Sequence, residues 1–434
     1  MQQFPVRGLA MQRGWLWAVS VCLSSGCTQP VGPLRRFLQE PEYRRELLQN
    51  ALLSHDNDYA RLRLSRYGVA TESGWLRLPV FSPATAIVPS DGSGASRDRA
   101  SSIDIRVPAA SEEDADERAL QASLRSIGQR AFFHYPAQLV SGFEQVRHSP
   151  AMARDYGLWS GVIPTGESQL GGLLEVSLAD GSRALATTCA TCHAAAGDRQ
   201  VITAGSANDV LDLGKLAVDS SGQVDGPQLH WGPGRIDTSS DGMDNPAAIP
   251  DLRSVLAQRF LHHDATLRND LFALALRIET LLITTYREGV RPPIEVALGL
   301  AVYLWDLAPP SRSAIAATEG GSVFEEHCAG CHLPPHYAGD PVPLSVVATD
   351  SSLGVSTERG TGFYRTPSLL GAKLRRQFFH HGVLSSVRAV LDPERLRDSY
   401  REGRHGPGAV IGHRFGLELS VADRVALTAF VESL

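Results

Sequence analysis

The sequence predicts a mainly α-helical fold, built as two tandem all-α modules behind an N-terminal region of helical and irregular structure. Two observations carry this prediction. A short cysteine–histidine motif occurs twice, and each copy is followed by the same Pro-x-Leu turn and histidine pair before a closing apolar segment with helical spacing. A length of 434 residues is sufficient for two or three domains, each with its own core.

The composition is that of a water-soluble protein, with 43% hydrophobic and 20% charged residues. The net charge of −6 argues against a nucleic-acid partner, because such a partner requires a concentrated basic surface. No apolar run reaches the roughly 18–20 residues that cross a bilayer as a helix. The body of the chain is therefore expected to be soluble.

Residues 1–27 have the pattern of a secretory signal. Arg7 and Arg13 precede a short apolar stretch, which ends in small residues directly before Cys27. This ending resembles a bacterial lipobox, and we expect Cys27 to carry a lipid that anchors the protein to a membrane. The alternative is an ordinary signal peptide with two incidental cysteines. Either reading predicts export, to the periplasm or to the outer membrane.

The other four cysteines form two copies of Cys-x-x-Cys-His, at residues 189–193 and 328–332. This is the signature of covalent haem attachment: the two thiols reach the two vinyl groups of a haem, and the adjacent histidine binds the iron from below. The motifs predict two covalently bound haem c groups and hence two iron atoms. The attachment residues are Cys189, Cys192, Cys328 and Cys331, and the proximal iron ligands are His193 and His332.

Two other readings of the motif remain open. A Cys-x-x-Cys pair can form half of a zinc site or a redox-active dithiol. Zinc would need the two pairs to come together in space, and a dithiol does not need a histidine directly after it in both copies. The haem reading uses all of these residues.

The regions before and between the motifs are expected to differ in structure. Residues 28–150 form an N-terminal region of unassigned role, with a leucine-rich helical segment from Pro33 that Pro41 interrupts, a flexible insertion at about 82–116 and a helix at about 117–133. The first haem module is predicted to span residues 151–310 and the second residues 311–434. Each should end in a helix, and Ser420 with Asp423 resembles a cap for the last one.

The sixth ligand of each iron is the functional question, because a saturated iron carries electrons while an open position binds peroxide or dioxygen. A histidine pair follows the Pro-x-Leu turn in both modules, and this repetition makes His262 and His380 the favoured distal ligands, with His263 and His381 as alternatives. Met243, in a turn-rich loop, and His413, before the last helix, are weaker candidates. Arg235 is a candidate partner for haem propionates.

Three further segments carry a family resemblance. They are the span Thr-Gly-Phe-Tyr-Arg-Thr-Pro-Ser-Leu at 361–369, Phe-Phe-His-His-Gly at 378–382 and Gly-His-Arg-Phe-Gly at 412–416. Together with the motifs they resemble the bacterial di-haem cytochrome c peroxidase superfamily, which includes the di-haem enzymes of methylamine dehydrogenase maturation and the di-haem rubber oxygenases. The likeness covers residues from about 150 to 434.

The resemblance implies two all-α cytochrome c-type domains with their haems in electron-transfer contact. In peroxidase members, one haem passes an electron to the other, where peroxide is reduced. The peroxidases usually place a Met ligand a few residues after the position of His380, and residues 383–391 contain no Met. The favoured prediction is therefore an extracytoplasmic electron carrier with a redox partner protein. The alternative is a peroxidase- or oxygenase-type oxidoreductase, with Glu279 as a weak acid–base candidate.

Overall fold

The computed structural model of the chain describes residues 32–91, 102–109, 115–140, 143–197, 200–222, 226–239, 241–307 and 319–434. The predicted signal region with Cys27 lies outside these residues. Helix accounts for 40% and strand for 14% of the structure, with several small antiparallel sheets. The prediction of a mainly α fold of all-α cytochrome type is therefore wrong, and the fold is a mixed α and β one.

The helices vary greatly in length, and the longest of them surround the core. They are α1 (Pro33–Gln39), α2 (Pro41–Ala51), α3 (Asp58–Arg66), α4 (Ala115–His134), α5 (Glu144–Arg147), α6 (Pro150–Asp155), α7 (Cys189–His193), α8 (Leu213–Ser221), α9 (Leu271–Thr285), α10 (Ile294–Trp305), α11 (Glu319–His327), α12 (Leu344–Val347), α13 (Val387–Val390) and α14 (Val421–Ser433). In the described part of the chain, none of them is both long and apolar enough to cross a membrane.

The strands are short and all pair antiparallel. They are β1 (Thr85–Ile87), β2 (Gln138–Leu139), β3 (Ser160–Val162), β4 (Ser168–Leu170), β5 (Leu173–Ser177), β6 (Arg183–Thr187), β7 (Ala194–Ala196), β8 (Ile202–Ala204), β9 (Arg235–Ile236), β10 (Ala247–Ala248), β11 (Phe260–Leu261), β12 (Leu267–Arg268), β13 (Gly339–Pro343) and β14 (Phe363–Thr366). Strands β1, β5, β6 and β2 form one four-stranded sheet in that order, and the others form two-stranded pairs.

The four-stranded sheet is centred on the β5–β6 hairpin, which leads directly into the first cysteine motif. Leu173 pairs with Thr187 and Ser177 with Arg183, and the connecting loop contains Gly181 with a φ of +82°. Aspartate followed by glycine between two apolar segments is a strong local hairpin signal, because glycine adopts positive φ without steric cost. The sheet therefore had a visible signal in the sequence, at Asp180–Gly181, that the helical reading overlooked.

The N-terminal region is an integral part of the main hydrophobic core. Helices α1 to α3 pack against α4, α9 and α10, and the Phe37 ring stacks on Phe272 with centroids 5.1 Å apart. Pro41 starts α2 rather than lying inside a helix, as the missing N–H of proline requires. The buried Tyr67 hydroxyl donates a hydrogen bond to the carboxylate of Glu279 on α9. These contacts tie residues 33–67 to helices some 200 residues later in the chain.

Helix α4 crosses α10 at a contact between two glycines. A β-carbon added to Gly128 would lie 1.8 Å from the carbonyl oxygen of Gly299, so only glycine lets the helix backbones approach this closely. The predicted helix at about 117–133 is confirmed as α4. It lies before the predicted start of the first module at residue 151, yet it forms that module's most extensive helix–helix contact.

A second helix crossing of the same kind occurs around the second motif. Helix α11, which directly precedes Cys328, crosses α14, and a β-carbon on Gly320 would lie 2.1 Å from the carbonyl oxygen of Ala426. Phe324 packs on Phe430 with ring centroids 5.1 Å apart. The predicted cap is confirmed, because the Ser420 hydroxyl accepts a hydrogen bond from the Asp423 amide at 3.1 Å. Each motif thus follows a helix that crosses its closing helix at a glycine.

Candidate functional site

The second motif borders a large cavity of about 480 Å³. This volume lies within the range of roughly 300–1,000 Å³ that is typical of cofactor and small-molecule sites. Cys328, Cys331 and His332 line one part of the cavity, and much of the remaining wall is apolar. Residues that follow the first motif, among them Ala248 and Pro250, close the cavity from the other side.

Both motif histidines are held in the same way by a backbone carbonyl. The His193 Nδ1 lies 3.0 Å from the Pro250 oxygen, and the His332 Nδ1 lies 3.2 Å from the Tyr337 oxygen. The Pro367 carbonyl is also close enough to His332 to raise its pKa by hydrogen bonding. A carbonyl can only accept, so each Nδ1 carries the proton and each Nε2 keeps its lone pair. This arrangement is typical of histidines that ligate a metal.

The repeated Pro-x-Leu turns explain this common geometry. Pro250 and Pro367 begin the two turns, and each places its carbonyl beside the histidine of its own motif. Burial lowers the pKa of His193 to about 4 and also lowers the pKa of His332, so both rings are neutral near pH 7. A neutral imidazole is the form that binds iron.

The thiols of Cys189, Cys192 and Cys328 are held in the protonated form by burial. Burial raises the pKa of Cys189 to about 11, that of Cys192 to about 12 and that of Cys328 to about 11. Redox-active dithiols have lowered pKa values instead, so these pairs lack the character of a thiol–disulfide enzyme. In the described part of the chain, no group of three or more His, Cys, Asp or Glu side chains is arranged to hold a metal ion.

The first motif forms the short helix α7, at which the chain turns out of the four-stranded sheet. At the start of α7, the Thr188 amide donates a hydrogen bond to the Thr191 hydroxyl at 3.2 Å. Cys189 packs against the main core and Cys192 against a second apolar cluster around Leu158 and Leu185. None of Cys189, Cys192 and His193 lines the 480 Å³ cavity, so the two motifs have different surroundings.

One cationic side chain in the cavity wall has no partner. The buried Nε of Arg365 makes no hydrogen bond, and no described residue accepts from the rest of its guanidinium group. Burial lowers the pKa of Arg365 to about 10, so the side chain stays charged at pH 7. A guanidinium without a hydrogen-bond partner in a mostly apolar cavity suits a carboxylate on a bound group, such as a haem propionate. Arg365 was not among the residues predicted from the sequence, although it follows Tyr364 in the segment that carries the family resemblance.

His413 lines the same cavity as His332, and its Nδ1 is buried without a hydrogen-bond partner in the described residues. Burial lowers the pKa of His413 to about 4, and the nearby His332 and Arg395 shift it in the same direction. The backbone at His413 has a φ of +44°, which is costly for a residue with a β-carbon. Such strain persists only where the surroundings impose it, and it is common at functional sites.

The surroundings of His413 impose its position through Arg395. This fully buried arginine donates to the carbonyl oxygens of Gly412 at 2.9 Å and His413 at 2.8 Å, and it also bonds to Val390 and Val410. The His413 amide donates to the Val347 oxygen at 2.7 Å. The strained loop is therefore fixed on both sides, and His413 is presented to the cavity by a rigid support.

His380 also lines the cavity, but its Nε2 faces polar neighbours. It lies 3.3 Å from the Tyr364 hydroxyl and 3.6 Å from the Asp350 carboxylate, and its ring stacks on that of Tyr364. In the other pair, the His262 Nε2 accepts a hydrogen bond from Arg277 at 2.8 Å, and the His263 Nε2 lies 3.0 Å from the Ala248 oxygen. The Nε2 of each of these rings is thus already engaged.

The remaining candidates lie away from the cavity. Met243 is 45% exposed in its surface loop. Arg235 is buried and donates to the backbone oxygens of Trp231 and His230, so its guanidinium has a structural partner. Glu279 is buried against Tyr67, and burial raises the pKa of its carboxyl. None of these three residues borders the 480 Å³ cavity.

Three buried histidines make the stability of the protein sensitive to acid. Burial lowers the pKa of His263 and of His381 to about 3 and that of His405 to about 4, against 6.5 for the unfolded chain. The contribution of these histidines to the free energy of unfolding is full above pH 6.5 and is lost as the pH falls below that value. The reason is that the histidines become protonated in the unfolded chain at a higher pH than in the folded protein. Between pH 8 and pH 5, urea unfolding should show a loss on the order of 1–2 kcal/mol each for His263 and His381, and a smaller loss for the more exposed His405. His381→Gln should reduce this pH dependence, and the same change at the exposed His55 should leave it intact.

Comparison with known proteins adds no relative from which a role could be transferred: no family model matches the chain, and no curated protein matches it.

Proposed function

We propose that this protein is a di-haem c-type cytochrome that transfers electrons outside the cytoplasm. The observation that carries the proposal is that Pro250 contacts both the first motif and the cavity beside the second motif. Its carbonyl oxygen is bonded to His193 of the first motif, and the same residue lines the cavity that Cys328, Cys331 and His332 border. Two cofactors attached at these motifs would share one wall of protein, as transfer of electrons between them requires.

The residues that line the 480 Å³ cavity fit a haem. The thiols of Cys328 and Cys331 would attach it, and the neutral His332 would bind its iron. The apolar part of the wall would enclose the ring, and Arg365 would pair with a propionate. Haem c, once bound, supplies an iron that accepts and donates single electrons. The protein's own contribution is to fix His332 through the Tyr337 oxygen, to offer Arg365 to a carboxylate and to keep water away from the cavity.

Among the candidate sixth ligands of the second iron, the geometry favours His413. Its Nδ1 lacks a partner, whereas the His380 Nε2 already faces Tyr364 and Asp350. Both rings border the cavity, so this preference rests on the bonds that each ring already makes. A histidine on both faces would saturate the iron, as an electron carrier requires.

Haem stoichiometry is the direct test of the proposal. The full chain should be expressed in the periplasm of a bacterium that has the c-type maturation machinery, and covalent haem counted by its haemochrome spectrum and by mass spectrometry. The wild type should carry two haems. Replacing both Cys328 and Cys331 by alanine, or both Cys189 and Cys192, should remove one haem each and leave the other.

A matched control is available next to the second motif. His336→Ala removes an exposed histidine that does not line the cavity and should leave haem content and spectrum unchanged, while His332→Ala should disturb the iron. A wild-type protein that carries no covalent haem after expression with the maturation machinery would refute the proposal.

A peroxidase- or oxygenase-type activity is the second candidate, and the surroundings of the first motif favour it. Arg277 is close enough to influence the pKa of both Cys189 and His193, and it also binds the buried His262. Hydrogen-bond donors of this kind suit a bound peroxide. A first haem that is high-spin in the half-reduced protein, together with turnover of peroxide, would favour this candidate. A low-spin first haem in both states would favour the carrier.

The proposed location and partner follow from the N-terminal residues. Covalent haem attachment requires export, and a lipid on Cys27 would hold the protein at a membrane surface next to a redox partner protein. Replacing Cys27 by serine should release the protein from the membrane fraction without changing its haem content. Membrane fractionation after labelling with a fatty acid would detect the difference.

A further inference from the structure

A second, much smaller cavity lies beneath helix α3, where the N-terminal region meets both halves of the chain. Its volume is about 30 Å³, close to the volume of one water molecule in the liquid. Tyr59 and Arg63 come from α3, Arg277 from α9 and Arg359 from the loop before β14, and His262 completes the polar wall. Tyr59 is 4% and Arg63 5% exposed, so the part of the wall that α3 contributes is buried.

The unpartnered atoms around this cavity are all hydrogen-bond donors. The Tyr59 hydroxyl, the His262 Nδ1 and the Arg359 Nε are buried and have no hydrogen-bond partner among the described residues. The His262 Nε2 accepts from Arg277, which can only donate, so the proton of His262 must be on Nδ1. An occupant that satisfies these three groups must therefore accept hydrogen bonds from all of them.

The charge around the cavity is also positive. Arg63, Arg277 and Arg359 line it, against the single carboxylate of Glu358. Asp264 does not line the cavity but lies 3.9 Å from the Arg359 Nε. Even with both carboxylates ionised, three guanidinium groups leave one positive charge in excess, and His262 is neutral because burial and the surrounding arginines hold its pKa well below 6.5.

The arginines are fixed in place by other bonds, so the cavity is preorganised. The Arg63 Nε donates to the Thr280 hydroxyl at 3.0 Å, and its guanidinium lies over the Tyr59 ring at 3.3 Å from the centroid. Arg359 donates to the Thr238 hydroxyl at 3.1 Å. Arg63 also donates from its Nη1 to the Tyr59 carbonyl oxygen at 3.2 Å, so these bonds use part of each guanidinium group.

We propose that the cavity formed by Tyr59, Arg63, His262, Arg277 and Arg359 binds a small monovalent inorganic anion of the size of chloride or bromide. Converging donors and excess positive charge select an anion over water, and the volume excludes larger oxyanions such as sulfate. The anion ties α3 to α9 and to the loop before β14. This inference does not require a bound haem, because the residues that would hold the anion lie outside the cysteine motifs, although Arg277 is also a neighbour of the first motif.

Bromide is the probe for the test, because its anomalous X-ray scattering identifies it directly. Crystals of the purified full-length protein grown in bromide should show one anomalous peak within hydrogen-bond distance of the Tyr59 hydroxyl and the His262 Nδ1. In solution, sodium bromide should raise the melting temperature more than sodium sulfate of equal ionic strength, since a ligand of the folded state alone stabilises it.

Three variants distinguish bromide binding in the cavity from a general effect of protein charge on stability. Tyr59→Phe removes one donor and keeps the ring, and it should weaken bromide binding about tenfold, the effect of a single hydrogen bond to a charged group. Arg63→Gln should abolish the bromide-specific stabilisation. Arg61→Gln makes the same charge change on the exposed side of the same helix, where the side chain is 62% exposed, and should have no effect.

Three results would overturn the inference. The first is an electron-density peak in the cavity without anomalous scattering, which would show that water occupies the cavity. The second is a carboxylate of a bound cofactor in the cavity. The third is a bromide response that Tyr59→Phe leaves unchanged, and this variant is informative even if Arg63→Gln fails to fold.

Discussion

In the di-haem protein that we propose, replacing His413 by alanine should convert one haem from low spin to high spin. His413 borders the second motif's cavity, and Arg395 holds its strained loop in place. Removal of the imidazole leaves the loop bonded as before and opens one coordination position on the iron. EPR and optical spectra of the oxidised protein would measure the change, and the other haem should keep its spectrum.

Two comparisons sharpen this experiment. Added imidazole should enter the space left in His413→Ala and restore the low-spin spectrum, which a merely unfolded loop would not allow. His380→Ala serves as the matched variant, because His380 lines the same cavity. A low-spin spectrum in His413→Ala together with a high-spin one in His380→Ala would reverse the assignment and make His380 the ligand.

Replacing Gly128 by alanine should destabilise the protein by about 3 kcal/mol or more, the upper range for overpacking a buried contact. The added β-carbon would lie 1.8 Å from the Gly299 oxygen and 2.8 Å from the Tyr303 β-carbon, and helix backbone cannot move aside as a flexible side chain can. Helices α4 and α10 would have to separate. Urea unfolding followed by circular dichroism would measure the loss in stability.

The control for this prediction is Gly330→Ala. A β-carbon at Gly330 meets no atom within 4 Å, and the first motif has a threonine at the equivalent position, Thr191. The change should therefore leave stability nearly unaltered. Equal losses in Gly128→Ala and Gly330→Ala would indicate that the helix crossing is not the cause.

The helices could be predicted from the sequence because their signals are local. Apolar spacing, the proline at residue 41 and the serine cap at residue 420 lie inside the segments that they define, and the observed helices begin and end close to the predicted positions. The strands escaped prediction because most have two to five residues, too few for an alternating pattern to stand out. Their partners are also distant, as Thr85 pairs with Val176.

Part of the candidate site could likewise be predicted from local sequence, and part of it could not. The two cysteine motifs and the two Pro-x-Leu turns are short and repeated, so sequence alone could identify them, and the structure supplies the bond that connects turn and motif. The distal side depends on which histidine rings are already bonded, and this requires Tyr364, Asp350 and Arg277 in three dimensions. The unpaired guanidinium of Arg365 becomes visible only once all its neighbours are known.

The crossing of α4 with α10 also constrains the order in which the chain can fold. The first motif lies between these helices in sequence, and α4 ends about 160 residues before α10 begins. A contact between such distant segments forms late, because closing a long loop has a large entropic cost. During synthesis, Cys189 and Cys192 therefore emerge long before the core that will bury them is complete. This delay leaves a period in which both thiols are accessible, as the covalent haem attachment that we propose would require.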